Sequence, residues 1–574
     1  MKSSSTSDNH SSNFESTDDI PWVDQLTIGQ TLRETAKRWP DQTAVVFSSV
    51  PSRVTWEEFD RQVDEVAKAL LASGIGHGDH FGIWATNVPA WALLQFATAR
   101  IGAVLVTINP SYRTNELAFV IRQAELKGLA LIDHFKTTHY FESLREAIPE
   151  LSSATPGELN SNSYPHLRLV ISLRGETLAG SFSWDDFLHR GKAVTKDQLC
   201  AAESVLSCHD PINIQFTSGT TGQPKGATLS HRNILLNAYY AGRCQAFTHN
   251  DRICIPVPLY HCFGCVLGTL CSIVHGTTMV FPAENFQAGA TLAAIEAESC
   301  TAVYGVPTMF IAMLEHTDYP SRNLKSLRTG IMAGSPCPIE LMKKVTSEMG
   351  ASQMTIGYGQ TEASPLITQT RVDDSIELRV GTVGRVLPGI EAKIVDPETG
   401  RDLPPLHSGE LCSRGHNTMI GYFRLPDKTA AAIDKDGWLH TGDLALQEPN
   451  GYFRITGRLK DLVIRGGENI FPREIEEVLY QHPAVKDVQV IGVPDRKFGE
   501  EVMAWVALRE GQQVTADELK VFCKSKLAYF KVPNYWKFVE SFPTTVTGKI
   551  QKYRMREISI VELGLQDVAS IETA

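Results

Sequence analysis

IQFTSGTTGQPKG, residues 214–226, opens as an apolar strand and closes as a run of hydroxyls and glycines with one cation, Lys225. Glycines let backbone N–H groups approach a ligand closely, and Thr and Ser hydroxyls add further donors. A segment of this kind suits a polyphosphate, with Lys225 supplying positive charge. Its order, GTTGQPKG, departs from the GxxxxGK[ST] of the common P-loop. Taken alone, a glycine-rich loop is also the composition of a surface turn. The rest of the chain has to decide.

Outward from this loop the pattern is alternating. Over the first 130 residues helical periodicity and short apolar runs take turns. Thr55 and Glu58 have capping-box spacing, with Phe59, Val63, Val66, Ala67, Leu70 and Leu71 following at helical intervals. HFGIWA, the helix-like WALLQFATARI, AVLVTI (103–108), a helix from Thr114 and LALID complete this block. After a polar, loop-rich stretch around 152–165, INIQF (212–216) leads into the glycine loop and a helix from about Ser230. TMVF (278–281), TAVY (301–304), RTGIM (328–332) and MTIG (354–357) alternate with further helical patterns. Two such blocks predict an α/β fold with a large N-terminal domain of two packed αβ layers. Short strands with Gly and Pro turns over 380–455 predict an added small β-barrel. After GRLKD (457–461) an α+β C-terminal domain follows, with Pro472 opening a helix, the strand EVMAWVAL (501–508), and a second capping box at Thr515 and Glu518. The expected divisions are a polar tail (1–26), a main domain (27–457), a hinge (458–461) and a mobile C-terminal domain (462–574).

Bulk properties exclude less. A net charge of −11 argues against a broad nucleic-acid surface, and single lysines with glycine loops still serve small anionic ligands. Eleven cysteines, an odd number spread through a long chain, point to reduced intracellular thiols rather than a disulfide framework. Cys262 and Cys265 have CxxC spacing beside His261, yet no second pair completes a zinc site, so buried apolar thiols are expected. Residues 253–283 lack Asp, Glu, Lys and Arg, but Pro and Gly interrupt them; a buried helix and strand are expected rather than a membrane span. The Ser-rich start has no signal-peptide core and the chain ends IETA, so a cytoplasmic protein is expected. Peripheral membrane contact and oligomeric state stay open.

IQFTSGTTGQPKGATLSH resembles the phosphate-loop signature of the adenylate-forming superfamily, which includes acyl-CoA synthetases, aryl-CoA ligases, luciferases and peptide-synthetase adenylation domains. GYGQTEAS (357–364), WLHTGD (438–443), ITGRLKDLVIRGGENIFP (455–472) and PTTVTGKIQK (543–552) resemble its later signatures, in order. Five matches in order make the resemblance specific, and it covers the chain from about 27 to 556. TINPSYRTNEL (107–117) is similar to the medium- and long-chain fatty acyl-CoA synthetases.

The resemblance implies an ATP-dependent activation of a carboxylic acid through an acyl adenylate, then thioester formation with CoA. It implies that Thr217, Ser218, Gly219, Thr220, Thr221, Gly222, Gln223, Pro224 and Lys225 embrace the phosphates. Thr361 and Glu362 would sit by the α-phosphate, with Glu362 as the Mg²⁺ ligand. Tyr358 would stack on adenine opposite Ala333, Gly334 and Ser335, while Asp443 and Arg458 would hold the ribose. Lys549 resembles the lysine that bridges carboxylate and phosphate during adenylation. In the family the C-terminal domain pivots at the position of Lys460, and Gly466 and Gly467 line the pantetheine tunnel.

For the acid, PLYHCFGCVLG (258–268) resembles the motif that walls the acyl pocket, with His261 at its mouth and Cys262 beside it. No acidic residue lies between Asp251 and Glu284 to pair an ammonium, which disfavours an amino acid. Gly359 stands where acetate-specific relatives carry tryptophan, and apolar VYGVPTMF (303–310), with Val306, suits an alkyl tail. A medium- or long-chain fatty acid is expected. A flat aromatic acid also fits, and a luciferase-like oxygenase shares the adenylation step.

Overall fold

A computed structural model describes residues 20–50, 52–217, 224–335, 337–466, 468–545 and 550–569; of Asn469 it describes the backbone only. Expected local signals operate in it. Thr55 Oγ1 accepts the Glu58 N–H at 3.2 Å and Glu58 Oε2 accepts the Thr55 N–H at 2.9 Å, closing the capping box. The helix Trp56–Ala72 then buries Trp56, Phe59, Val63, Val66, Ala67 and Leu70 along one stripe. Thr515 and Glu518 cap Ala516–Lys524 in the same way.

Two large sheets carry the N-terminal part. One has nine strands in the order 385–386, 366–369, 353–359, 329–332, 302–305, 252–254, 278–281, 43–47 and 52–55. The other has eight, in the order 421–422, 225–230, 211–217, 104–107, 80–84, 128–131, 169–172 and 182–183. The sheets do not follow the two sequence blocks. Thr43–Phe47 pairs in parallel with Thr278–Phe281 (Val45 opposite Met279), and Pro211–Thr217 pairs in parallel with Val104–Thr107 (Asn213 opposite Leu105). Strands buried on both faces read as uniform apolar runs, and such runs carry no address for their partners.

The helix Pro89–Arg100 buries all but two of its residues, and Phe263–Leu270 buries every one, so both belong to the main core. Phe263–Leu270 has wide i→i+5 turns and runs on into Cys271–His275, followed by the strand Thr278–Phe281. The uncharged stretch is thus an interior helix and strand, and among the described residues no helix is long and apolar enough to cross a membrane.

One expectation fails. Strands 390–395, 409–415, 439–447 and 453–458 form an open four-stranded antiparallel sheet, not a closed barrel. The edges, Ile390–Val395 and Phe453–Arg458, have no ladder with each other; four short strands are too few to close a cylinder around filled side chains.

Phe453–Arg458 ends in a single turn, Leu459–Asp461, and a further sheet begins at Val463. It is a five-stranded sheet built on the antiparallel pair Val485–Asp495 and Gly499–Leu508, with Pro472–Tyr480, Ala516–Lys524 and Lys552–Glu562 as its longer helices. Its core residues, among them Val488, Val490, Val502 and Ala504, form a cluster of their own.

Candidate functional site

In open α/β sheets ligands bind beyond the carboxyl ends of the strands, where backbone groups and loops are exposed. Thr217, Val306, Ala333 and Tyr358 all stand at or just past such ends, of strands 211–217, 302–305, 329–332 and 353–359. The large sheets therefore bring four distant segments to strand ends of the kind where ligands bind.

Where strand 211–217 ends, Glu362 is 9% exposed, and Thr361 is also buried. Glu362 Oε1 accepts the Thr217 hydroxyl at 3.3 Å and the Tyr422 hydroxyl at 2.8 Å. Among the described residues Oε2 has no hydrogen-bond partner and is the oxygen available to a cation. Lys225 opens the strand Lys225–Ser230, directly opposite Thr217 in the hairpin register. Pro224 precedes it, half-buried. Ser218, Gly219, Thr220, Thr221, Gly222 and Gln223 lie outside the described residues, as do Gly467 and Lys549.

At the other end Asp443 is buried and doubly held. Its Oδ2 accepts the Tyr358 hydroxyl at 2.8 Å, and its Oδ1 pairs with Arg458 Nε at 3.0 Å. Asp443 and Arg458 are cross-strand neighbours, which fixes the pair by register. Burial works to lower the Arg458 pKa, and the charges of Asp443 and Asp461 more than reverse it. Burial, then the Asp443 charge, raises the Tyr358 phenol well above its usual range, so it donates and does not ionise. An ionised carboxylate has about four lone-pair sites, so Asp443 retains acceptor capacity beyond these two partners. Ser335 is half-buried and Gly334 is exposed at a φ of +88°, which L side chains adopt with strain.

Side chains that sequence reasoning left without a role stand behind this end. Glu410 Oε1 accepts the Gly442 N–H at 2.9 Å, and Oε2 contacts His440 Nδ1 at 2.8 Å. Cys412 Sγ is 3.4 Å from the same nitrogen. These three could offer metal-ligand atoms, but the Glu410 oxygens are already engaged in bracing the turn before Asp443. Burial, with the Glu410 charge, pushes the Cys412 thiol up to about 12, away from a metal-binding thiolate. His440 lies inside WLHTGD and was visible; Glu410 and Tyr422 sit in ordinary strand sequence with no local signal.

The apolar wall meets both ends. Cys262 Sγ is 3.7 Å from Thr361 Oγ1, and a Cβ built on Gly334 would lie 3.2 Å from Val306 Cγ1. His261 Nδ1 accepts the Phe263 N–H at 3.1 Å. Cys262 and Cys265 are buried, and burial lifts the Cys262 pKa to about 12, as expected of apolar thiols. Gly359 also sits at a close backbone approach. A Cβ there would fall 1.9 Å from the Pro365 carbonyl oxygen, so glycine permits two backbones to touch. Gly466 has a φ of +60° and donates its N–H to Phe498 O at 2.8 Å, so it answers to turn geometry. Burial and the like charge of Arg458 lower the Lys460 pKa at the junction between the units.

Comparison with known proteins shows what this chain is similar to. The AMP-binding enzyme model matches residues 32–423 and the AMP-binding enzyme C-terminal domain matches 474–549. YngI of Bacillus subtilis (strain 168) is 51% identical over 534 residues, 93% of this chain and 97% of that protein. The mitochondrial medium-chain acyl-CoA ligase ACSF2 of Danio rerio is 46% identical over 541 residues, 94% of this chain and 89% of that one. The crystal structure of ATP-bound MatB from Rhodopseudomonas palustris superposes with a TM-score of 0.76 at 28% identity, covering 92% of this chain and 98% of that chain. With a family model spanning most of its length and relatives similar across nearly all of it, the chain belongs to the AMP-binding enzyme family.

Proposed function

We propose that the protein is an acyl-CoA synthetase that activates a medium- or long-chain fatty acid in two steps. In the first, a carboxylate oxygen attacks the α-phosphorus of ATP, a P–O bond breaks and diphosphate leaves. In the second, the CoA thiol, losing its proton, attacks the acyl carbon and AMP departs. Neither step uses a protein nucleophile, so the residues bind, orient and neutralise charge. The observation that carries the reading is the junction at Thr361–Glu362. Thr361 touches Cys262 of the apolar wall and Glu362 touches Thr217 at the mouth of the glycine loop, so an acid and a phosphate would meet there.

Asp443 and Arg458 hold the ribose, Tyr358 stacks on adenine against Ala333, Gly334 and Ser335, and Thr217 to Lys225 take the phosphates. A buried carboxylate with one oxygen that has no partner among the described residues fits Mg²⁺, which is usually held by one or two carboxylates and the substrate phosphates. When bound, Mg²⁺ would neutralise phosphate charge beside Glu362. Lys549 neutralises the reacting oxygens in the first step and leaves for the second, with Lys460 as pivot and Gly466 and Gly467 along the thiol's path. Eleven unpaired cysteines suit a reducing compartment, in our reading the cytoplasm; the ACSF2 relatives are mitochondrial proteins.

The resemblance of the acyl wall and the ACSF2 relatives support the fatty-acid substrate. Diphosphate release measured across a C2–C18 series and a set of cinnamates, with and without CoA, tests it. Turnover should peak at a medium or long alkyl acid and require CoA. A preference for cinnamates would make the protein an aryl-acid ligase, and oxygen uptake with light would make it an oxygenase.

A further inference from the structure

Lys225 and Glu362 are the opposite charges of the phosphate end, yet among the described residues no ion pair joins them. Tyr422 lies between. Its hydroxyl donates to Glu362 Oε1 at 2.8 Å, and its ring seats the Lys225 ammonium, with Nζ 4.3 Å from the centroid. An ammonium is drawn to the electron-rich face of a phenol ring, while the phenol O–H serves a carboxylate at the ring's edge. One side chain thus satisfies both charges separately.

The backbone around Tyr422 is pinned to the same groups. Gly421–Tyr422 adds to the edge of the eight-stranded sheet beside Lys225–Ser230, with Ala227 opposite Tyr422. Phe423 N–H donates to Gly226 O at 2.8 Å and Ile420 N–H to Thr228 O at 2.9 Å, one on each side. Met419 N–H donates to the Glu362 carbonyl at 2.9 Å. A carboxylate oxygen accepts and a phenol O–H donates, so towards Glu362 the Tyr422 hydroxyl is the donor.

We propose that Tyr422 is a positioning residue for adenylation, keeping Lys225 and Glu362 from collapsing onto each other so that the ammonium serves phosphate oxygens and the carboxylate serves the nucleotide's metal ion. The inference rests on the adenylation reading above. Without the hydroxyl, Glu362 Oε1 loses the shorter of its two contacts and keeps only the Thr217 hydroxyl at 3.3 Å. Without the ring as well, Lys225 can swing onto Glu362 and cancel it.

The test compares full-length wild type, Tyr422→Phe and Tyr422→Leu. Mn²⁺ is titrated by electron paramagnetic resonance against each protein with α,β-methylene-ATP, which needs no acid. Acyl-adenylate formation and CoA transfer from supplied acyl-adenylate are timed separately, and thermal unfolding is recorded. Outer contacts to a metal-binding carboxylate are typically worth 10–100-fold. Tyr422→Phe should weaken Mn²⁺ binding and slow adenylation about tenfold, and Tyr422→Leu about 100-fold, while CoA transfer stays within about twofold. Mn²⁺ binding and adenylation both unchanged in Tyr422→Phe would overturn the proposal. Equal loss in both half-reactions, with a lowered unfolding temperature, would overturn it in favour of a packing role. A wild type that binds Mn²⁺ and the analogue but makes no thioester refutes only the synthetase reading, because the Mn²⁺ comparison still decides Tyr422. A wild type that binds no nucleotide defeats both.

Discussion

Replacing Asp443 by Asn changes one atom and one charge in a side chain of the same shape. Both carboxylate oxygens already hold partners, Tyr358 at 2.8 Å and Arg458 at 3.0 Å, and the ribose hydroxyls are to share them. Hydrogen bonds to charged groups contribute about 1.5–3 kcal/mol each. The amide keeps one accepting oxygen and loses the charge that strengthens both contacts, so about 2–3 kcal/mol of nucleotide binding is at stake. Arg458 is 35% exposed, and water screens part of the lost pairing. The lower half of the range therefore applies, roughly 30-fold in ATP affinity. Calorimetry with ATP, 2′-deoxy-ATP and 3′-deoxy-ATP isolates the contact. Wild type should discriminate against each deoxy analogue by about tenfold, and Asp443→Asn by less than about threefold. If the variant bound ATP more weakly yet discriminated as wild type does, the ribose assignment would be refuted and Asp443 would be a brace for Arg458 alone.

Lys549→Ala should abolish acyl-adenylate formation and spare CoA transfer from supplied acyl-adenylate; equal loss in both half-reactions would contradict a lysine that serves one pose. Stability should fall in mild acid. Burial lowers His231 to about 3 and His275 and His416 to about 4, below their unfolded value of about 6.5. The unfolded chain therefore binds more protons as pH drops from about 6.5 towards the folded values, and stability is lost in that window. His231 alone should cost about 2 kcal/mol between pH 7 and 5; if the unfolding temperature of His231→Asn varied with pH as steeply as wild type, His231 would not be the group. Gly359→Ala should cost about 2–3 kcal/mol of stability, because the added methyl meets the Pro365 backbone. A fully stable variant with a shortened preferred acid would refute the backbone contact and favour the acyl-pocket role of Gly359.

The elements of this protein were legible from local rules, and their partners were not. Capping boxes at Thr55 and Thr515 and the interior helix and strand of 253–283 are settled by neighbours in sequence. The hydroxyl and glycine composition of 217–225, on which the proposed phosphate role rests, is likewise local. The pairing of Thr43–Phe47 with Thr278–Phe281, the open sheet of 390–458 and the backbone contact at Gly359 depend on which apolar surfaces meet after long excursions of chain. Tyr422 illustrates the boundary best. A tyrosine after a glycine in a short strand carries no sequence signal, and only the pairing of that strand beside Lys225, near Glu362 from another sheet, gives its ring and its hydroxyl separate work.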